Sequence, residues 1–406
     1  MKDTYVTPRQ TSQTEFVALV AMLFATIALS IDAMLPALPA IAAELSPQAV
    51  NKAQLVVTSF VFGMGLGTLI AGPISDAFGR KPVILIFAAL YLAATALCIA
   101  SPSLNLLLTA RVIQGIGAAG PRAVATAMVR DRFKGRDMAR VMSFVMMIFT
   151  LVPAIAPLLG QGILLFGAWR SIFAAFMVFA LIVNTWLALR QPETLPVPQR
   201  RPLNPALLWQ ATKDLTQHRI ALISTLCQSL SSAALFATLS SQQSIFDQRF
   251  DRAATFPLWF GIIALCAISG SLLNSRLVMR VGMRAMVKFA YAMQLGLSAV
   301  LLTLTLTHAL PEALAFPLHI LWSVGVFAVM GLTMGNLNAL AMEDLGHIAG
   351  FAASVITAAS TVLSVLMAVP VGLAFDGTQV PLLAGVTVFA ATALFLMRFV
   401  DKPKPT

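Results

Sequence analysis

Residues 16–36 read FVALVAMLFATIALSIDAMLP, apolar apart from Thr26, Ser30 and one carboxylate, Asp32. About 20 such residues in helical form cross the hydrocarbon core of a bilayer. Eleven comparable runs follow, at 54–74, 83–101, 104–128, 140–165, 170–189, 219–240, 256–275, 286–307, 312–336, 349–375 and 380–399. They are continuous, with no alternation of period two, which excludes a β-barrel. The fold class that follows is an all-α polytopic membrane protein of twelve transmembrane helices.

Composition agrees. The 406 residues are 59% hydrophobic and 11% charged, with mean hydropathy +0.87, whereas soluble domains carry about 25% charged residues. The net charge of +11 is read through the positive-inside rule, not as a nucleic-acid footprint. With the N-terminus placed in the cytoplasm, the outer loops hold Lys52, Arg170, Arg249 and Arg252, and Arg111 and Arg122 fall inside the fourth span. The other 21 of the 27 Lys and Arg lie on the cytoplasmic side. Both termini are therefore expected in the cytoplasm. The polar first 15 residues lack a cleavage site, so the first span is expected to be retained. Cys98, Cys227 and Cys266 lie in apolar runs without ligand spacing and read as inert packing groups.

Between the sixth and seventh spans, Arg190–Gln217 holds Pro192, Pro196, Pro198, Pro202 and Pro205 with Arg200, Arg201 and Lys213. It divides the chain into residues 1–189, a linker at 190–217, and residues 218–406. The loops after spans 2 and 8 repeat one another: Gly72-Pro73-Ile74-Ser75-Asp76-Ala77-Phe78-Gly79-Arg80-Lys81 against Leu277-Val278-Met279-Arg280-Val281-Gly282-Met283-Arg284. Matching turns in two six-span halves point to a transporter made of two related bundles around a midplane site. Met279 stands where Asp76 would, so only the first copy is expected to be charged in that way.

Asp32 is the one carboxylate placed inside a span. A charge at bilayer depth costs about 2.5–3.5 kcal/mol on insertion scales and is kept facing a cavity. A carboxylate in such a place can take up and release protons, so Asp32 reads as a proton carrier. A guanidinium cannot neutralise and needs carboxylate, carbonyls or water. Arg111 is thus expected to sense Asp32, directly or through Gln114 and water; the plain alternative is an arginine that snorkels to the interface. Arg122 lies eleven positions past Arg111 on roughly the same face. It reads either as a contact for an anionic or strongly polar substrate or as a partner for carbonyls freed by Pro121. Gln228, Ser229, Ser231 and Ser232, with Asn336 and Asn338, are candidate cavity residues or helix-packing residues. His218, His308, His319 and His347 are scattered without ligand spacing, so no metal is expected. No glycine loop for phosphates exists, so ATP is not expected to drive the protein.

The stretch Gly72–Lys81 fits the G-x-x-x-D-x-x-G-R-K/R signature of major facilitator transporters, which implies the major facilitator fold of two six-helix bundles. The resemblance makes Gly72, Asp76, Gly79, Arg80 and Lys81 a conformational latch. Arg111–Ala119 resembles the family's second motif. Pro153-Ala154-Ile155-Ala156-Pro157-Leu158-Leu159-Gly160-Gln161-Gly162 resembles the antiporter motif G-P-x-x-G-G through Pro157 and Gly160, with Ala156 and Gln161 in place of glycines. Asp32–Pro39, Met128–Phe133, Ala156–Gly160, Trp169–Phe173 and Gly346–Gly350 resemble the Bcr/CflA drug-resistance transporters, which show an aromatic where Met34 stands. With the alternatives given above left open, Met34, Gln114, Arg122, Gln228 and Asn336 are the candidate substrate contacts.

The resemblance implies a proton-coupled exporter of a small molecule, working by alternating access in the inner membrane as a monomer. It needs no cofactor beyond the proton gradient and no nucleic acid. A proton symporter importing a metabolite on the same fold stays open, since fold does not fix direction. A membrane-embedded transferase ranks far behind, because no His, Asp and Lys cluster converges at one face.

Overall fold

The computed structural model describes residues 11–200, 202–203, 205–343 and 349–400. His347, with the start of the Gly346–Gly350 stretch, lies outside the described residues. So do Lys2, Arg9, Arg201, Lys402 and Lys404. Every regular element among the described residues is helical. The long ones are α1 (Gln13–Asp32), α2 (Leu38–Leu45), α3 (Leu55–Phe78), α4 (Arg80–Ala100), α5 (Leu104–Arg132), α6 (Gly135–Leu164) and α7 (Arg170–Arg190). After the linker come α8 (Pro205–Gln217), α9 (Arg219–Gln248), α10 (Phe256–Val281), α11 (Met283–Leu306), α12 (Glu312–Met342), α13 (Ala349–Leu373) and α14 (Val380–Leu396).

Eleven of the described helical stretches are long and apolar enough to cross a bilayer, the first being α1 and α2 taken together as Gln13–Leu45. The twelfth crossing unit is α5, whose Arg111, Gln114 and Arg122 lower its hydropathy. The packing compensates. A Cβ at Gly63 of α3 would collide with the Val112 carbonyl, and one at Gly115 of α5 with the Phe60 carbonyl. Glycine pairs thus draw α3 and α5 into backbone contact, the small-residue packing that membrane helices use.

The helices overrun most of the apolar spans. A hydropathy run ends at the first polar residues, while backbone hydrogen bonding in a helix continues through them. The ninth helix shows this: Ser241, Gln242 and Gln243 extend it beyond residue 240 and are all buried. Within the linker, Pro205–Gln217 is helical, and its Leu215 packs among Ala352, Val355 and Ile356. Cys98 and Cys227 are buried packing groups, whereas Cys266 is exposed.

The turn repeat survives in the backbone. Gly79 has φ +102° and Gly282 has φ +90°, a region that side chains other than glycine's rarely enter. The end of the bundle carrying these turns holds most of the described Lys and Arg and is called here the basic end; the other is the far end. The two halves touch along α3 and α13 and along α6 and α10. At the far end, Asn51 Nδ2 donates to the Leu373 and Phe375 carbonyls at 2.9 and 3.0 Å. Ser241 donates to Gln54 Oε1 at 3.1 Å, and Gln161 donates to the Ala254 carbonyl at 3.1 Å. These bonds hold the far ends of the halves together in this conformation.

Candidate functional site

The first membrane crossing is broken, and the break falls immediately after Asp32. The α1 helix ends there, Leu35–Ala37 forms a short 3-10 turn, and α2 resumes at Leu38. Pro36 and Pro39 explain it, since neither can donate to the ladder. A helix end leaves its last carbonyls without intrahelical partners, and no backbone amide takes the Ser30 carbonyl. Arg111 takes it. Its Nη2 donates to the Ser30 carbonyl at 3.0 Å, its Nε to the Val56 carbonyl at 2.9 Å and its Nη1 to Gln114 Oε1 at 2.7 Å.

Arg111 is fully buried, with its guanidinium carbon 4.4 Å from the Phe60 ring centroid. It does not snorkel. Gln114 passes the network on, donating to Thr95 Oγ1 at 2.7 Å, and Thr95 donates to the Tyr91 carbonyl at 2.6 Å. The Ser30 hydroxyl donates to the Thr26 carbonyl at 2.6 Å, so it accepts from the Tyr91 hydroxyl at 2.7 Å. The end of α1 is thereby tied to α3, α4 and α5 two residues before Asp32.

Asp32 itself is 5% exposed, and neither carboxylate oxygen has a hydrogen-bond or ion-pair partner among the described residues. The expected direct contact with Arg111 is not formed. The link runs through the backbone of α1: Arg111 grips the helix end that presents Asp32. The negative end of the α1 dipole and the positive guanidinium act in opposite senses on any charge at that carboxyl.

Gly160 braces the same break. A Cβ there would collide with the Ala33 carbonyl, so α6 meets α1 backbone to backbone beside Asp32. Pro153 and Pro157 sit in α6 as one unbroken helix from Gly135 to Leu164, and Gln161, which replaces the motif's last glycine, makes the far-end bond to α10's approach. Met34 is fully buried at the break, in the far-end core, so in this conformation it lines no open space.

At the basic end the latch residues are assembled. Arg80 Nη1 meets Asp76 Oδ1 at 2.5 Å, and its Nε meets Asp131 Oδ2 at 3.0 Å. Gly72 faces α13, where a Cβ would lie 3.4 Å from the Ser354 hydroxyl. Glu193, a linker residue that the sequence reading passed over, accepts from the Arg80 and Lys81 amides at 2.9 and 3.1 Å. It sits where a carboxylate favours a helix N-terminus. Lys81 Nζ donates to the Ala188 carbonyl at 2.7 Å. The second copy is charged too. Arg284 Nη2 meets Glu343 Oε2 at 3.0 Å, so the loss of the acid at Met279 is offset by one at the end of α12.

The expected substrate residues are not brought into one cluster. Asn336 donates to Asn274 Oδ1 at 2.7 Å and to the Leu332 carbonyl at 2.8 Å, which spends its amide on packing. Gln228 is buried with no partner for Nε2. Arg122 is partly exposed and unpaired, with its guanidinium carbon 5.9 Å from the Phe149 ring centroid. The reading missed Glu44, which accepts from Trp169 Nε1 and Arg170 Nη1, both at 2.7 Å, pinning α2 to the start of α7 at the far end.

A Major Facilitator Superfamily model matches residues 19–368. The chain belongs to that superfamily. It is 32% identical over 340 residues to the bicyclomycin resistance protein homolog of Haemophilus influenzae, covering 80% of this chain and 81% of that one. It is 30% identical over 374 residues to the MFS-type transporter YdgK of Bacillus subtilis, covering 91% of each. Among solved structures, a D-xylose–proton symporter covers 97% of this chain with TM-score 0.76 at 17% identity, with 99% of that chain covered, which shows the fold alone. As a facilitator of the drug-resistance branch, the chain is a multi-pass membrane transporter and not an enzyme.

Proposed function

We propose that the protein is a proton-coupled exporter of a small molecule, with Asp32 as the exchanging group and Arg111 as the residue that ties its state to the first membrane crossing. The observation that carries the reading is the unpartnered carboxyl at a helix break whose other side is gripped by Arg111 and braced by Gly160. A proton arriving at or leaving Asp32 changes the charge at that break, and the break joins α1 to α3, α5 and α6. A gradient does work only if protonation and cargo occupancy bias the same two-state equilibrium. The named drug-resistance relative supports export over import.

By the positive-inside rule the basic end, and with it both termini, faces the cytoplasm of a bacterial inner membrane. Protons enter from the far end and cargo leaves by it. The test uses inside-out vesicles holding the full chain, with bicyclomycin, chloramphenicol and a dansyl carboxylate as neutral and anionic probes. An exporter accumulates probe when the vesicle lumen is acidified, and Asp32→Asn abolishes that accumulation while the folded carrier persists. Robust gradient-driven accumulation by the Asn variant removes Asp32 from the mechanism, and expulsion of probe under the same gradient selects the symporter.

A further inference from the structure

Among the described residues Arg122 has no counter-ion and no carbonyl partner. Arg111, on the same helix, shows what a structural guanidinium looks like in this bundle: three hydrogen bonds, two to backbone carbonyls. Arg122 makes no side-chain hydrogen bond or ion pair among the described residues. Pro121 removes the amide that would have bonded the Gly117 carbonyl, yet Arg122 does not take that carbonyl, so the packing explanation for its charge fails.

Its exposure is inward. Arg111, Gly115, Ala118 and Arg122 form one stripe at helical spacing, and Arg111 fixes that stripe on the seam between α1 and α3. Asn105, Leu106, Thr109, Arg130 and Asp131, the exposed positions of α5, lie on the opposite face. Phe149 of α6, itself edge-on to Phe24 of α1 at 5.9 Å, closes one side of the guanidinium. Arg122 therefore opens between α1, α3 and α6, on the inner side of its bundle.

A second unpartnered donor stands in the other half. Gln228 is 3% exposed and its Nε2 has no acceptor. Gln228, Leu235, Leu239 and Phe246 share a stripe, and Leu239 and Phe246 pack in one core with Ile31 and Phe60 of the N-terminal half. Gln228 thus lies on the face of α9 turned towards α1 and α3. At about 1.5 Å per residue, Gln228 lies roughly 13 Å from the Arg219 end of α9, and Arg122 roughly 15 Å from the Arg132 end of α5. The two free donors occupy one level of the bundle.

We infer that the cargo carries an oxyanion, a carboxylate, sulfonate or phosphate ester, gripped by the Arg122 guanidinium with the Gln228 amide as a second donor from the opposite half. The inference rests on the transporter reading, since cargo must reach the space between the halves. A planar guanidinium matches a two-oxygen anion in a forked pair, and an anion in transit supplies the charge that the bundle lacks. Asp32, the other unpaired interior charge, stands more than two helical turns further towards the far end and leaves Arg122 free for cargo. An anionic phospholipid headgroup presents the same chemistry, and the experiment separates the two sources.

The full-length protein in phosphatidylcholine nanodiscs is titrated with dansyl carboxylates, sulfonates and phosphate esters, each beside its neutral ester or amide, without any proton gradient. The wild type should prefer at least one anion over its neutral partner by about tenfold to a hundredfold, the worth of a charged hydrogen bond. Arg122→Gln should erase that preference, Arg122→Lys should keep part of it, and Gln228→Leu should weaken it without erasing it. No anion preferred by the wild type, or a preference that survives Arg122→Gln in a monodisperse protein, overturns the inference. Loss of the preference when phosphatidylglycerol is added assigns the site to a lipid headgroup and overturns the cargo reading. Because binding is read at equilibrium, an anion preference without gradient-driven export would sink the export reading alone.

Discussion

The fourth crossing of each half buries a nitrogen-bearing side chain seven residues from its start, Arg111 in α5 and His319 in α12. Both are fully buried, yet their surroundings differ. Arg111 is a fixed cation spread over two backbone carbonyls and a glutamine on three helices. His319 shares one hydrogen bond with Gln379 Oε1 at 2.9 Å, leaves Nε2 without a partner, and sits among Phe246, Phe250 and Trp322. The contrast extends through both interiors. The interior of the N-terminal half holds Asp32 and Arg111, both buried, and the partly exposed Arg122, whereas the described interior of the C-terminal half relies on neutral amides, hydroxyls and one imidazole. Two bundles built on one plan thus differ in their interiors: one holds the charged groups, and the other is a neutral counterface.

Breaking that contrast should cost most at Arg111. Each buried acceptor left alone costs about 1–3 kcal/mol, so Arg111→Leu, which strands the Ser30 carbonyl and Gln114 Oε1 and takes the second partner from the Val56 carbonyl, should lower the thermal unfolding midpoint in detergent more than any other single change discussed. His319→Leu, which strands only Gln379, should lower it by less than half as much. Equal losses at the two positions would erase the distinction. Gly160→Val comes next: overpacking costs about 1–3 kcal/mol, and because the clash falls on the Ala33 carbonyl, probe transport should fall further than stability does.

A smaller effect sharpens the comparison at the basic end. Arg80 is nearly buried between two carboxylates, whereas the Arg284–Glu343 pair is more open. Exposed pairs contribute about 0–1 kcal/mol. Asp131→Asn should therefore slow transport and shift the balance of conformations, read as reactivity of single cysteines placed at each end, while Glu343→Gln should change little. The smallest expected effect is at the far end, where Asn51→Ala removes two hydrogen bonds between the halves. It should raise labelling of far-end cysteines with stability nearly unchanged.

Much of the plan was legible because it is periodic or local. Hydropathy located the crossings, the paired glycine turns revealed the two halves, and Arg111 and Gln114, three residues apart on one helix, are bonded as their spacing suggests. The break after Asp32 was also within reach, since Pro36 and Pro39 are helix-breaking residues that a hydropathy window averages away. What stayed hidden depends on distance along the chain. Glu44 and Arg170, or Asn51 and Leu373, meet only when the helices stack, and no local pattern marks them. The charged character of the second latch was missed for the same reason, because Glu343 lies on a different helix from Arg284.

Infrared difference spectroscopy of the reconstituted full-length carrier reads the Asp32 carboxyl directly, using the protonated C=O band that Asp32→Asn removes. The band should appear and vanish as acidity is varied between that of a cell interior and that of an acidified medium, and addition of transported probe should shift the midpoint of that change. A band that is constant over that range, or one indifferent to the probe, would contradict coupling through Asp32.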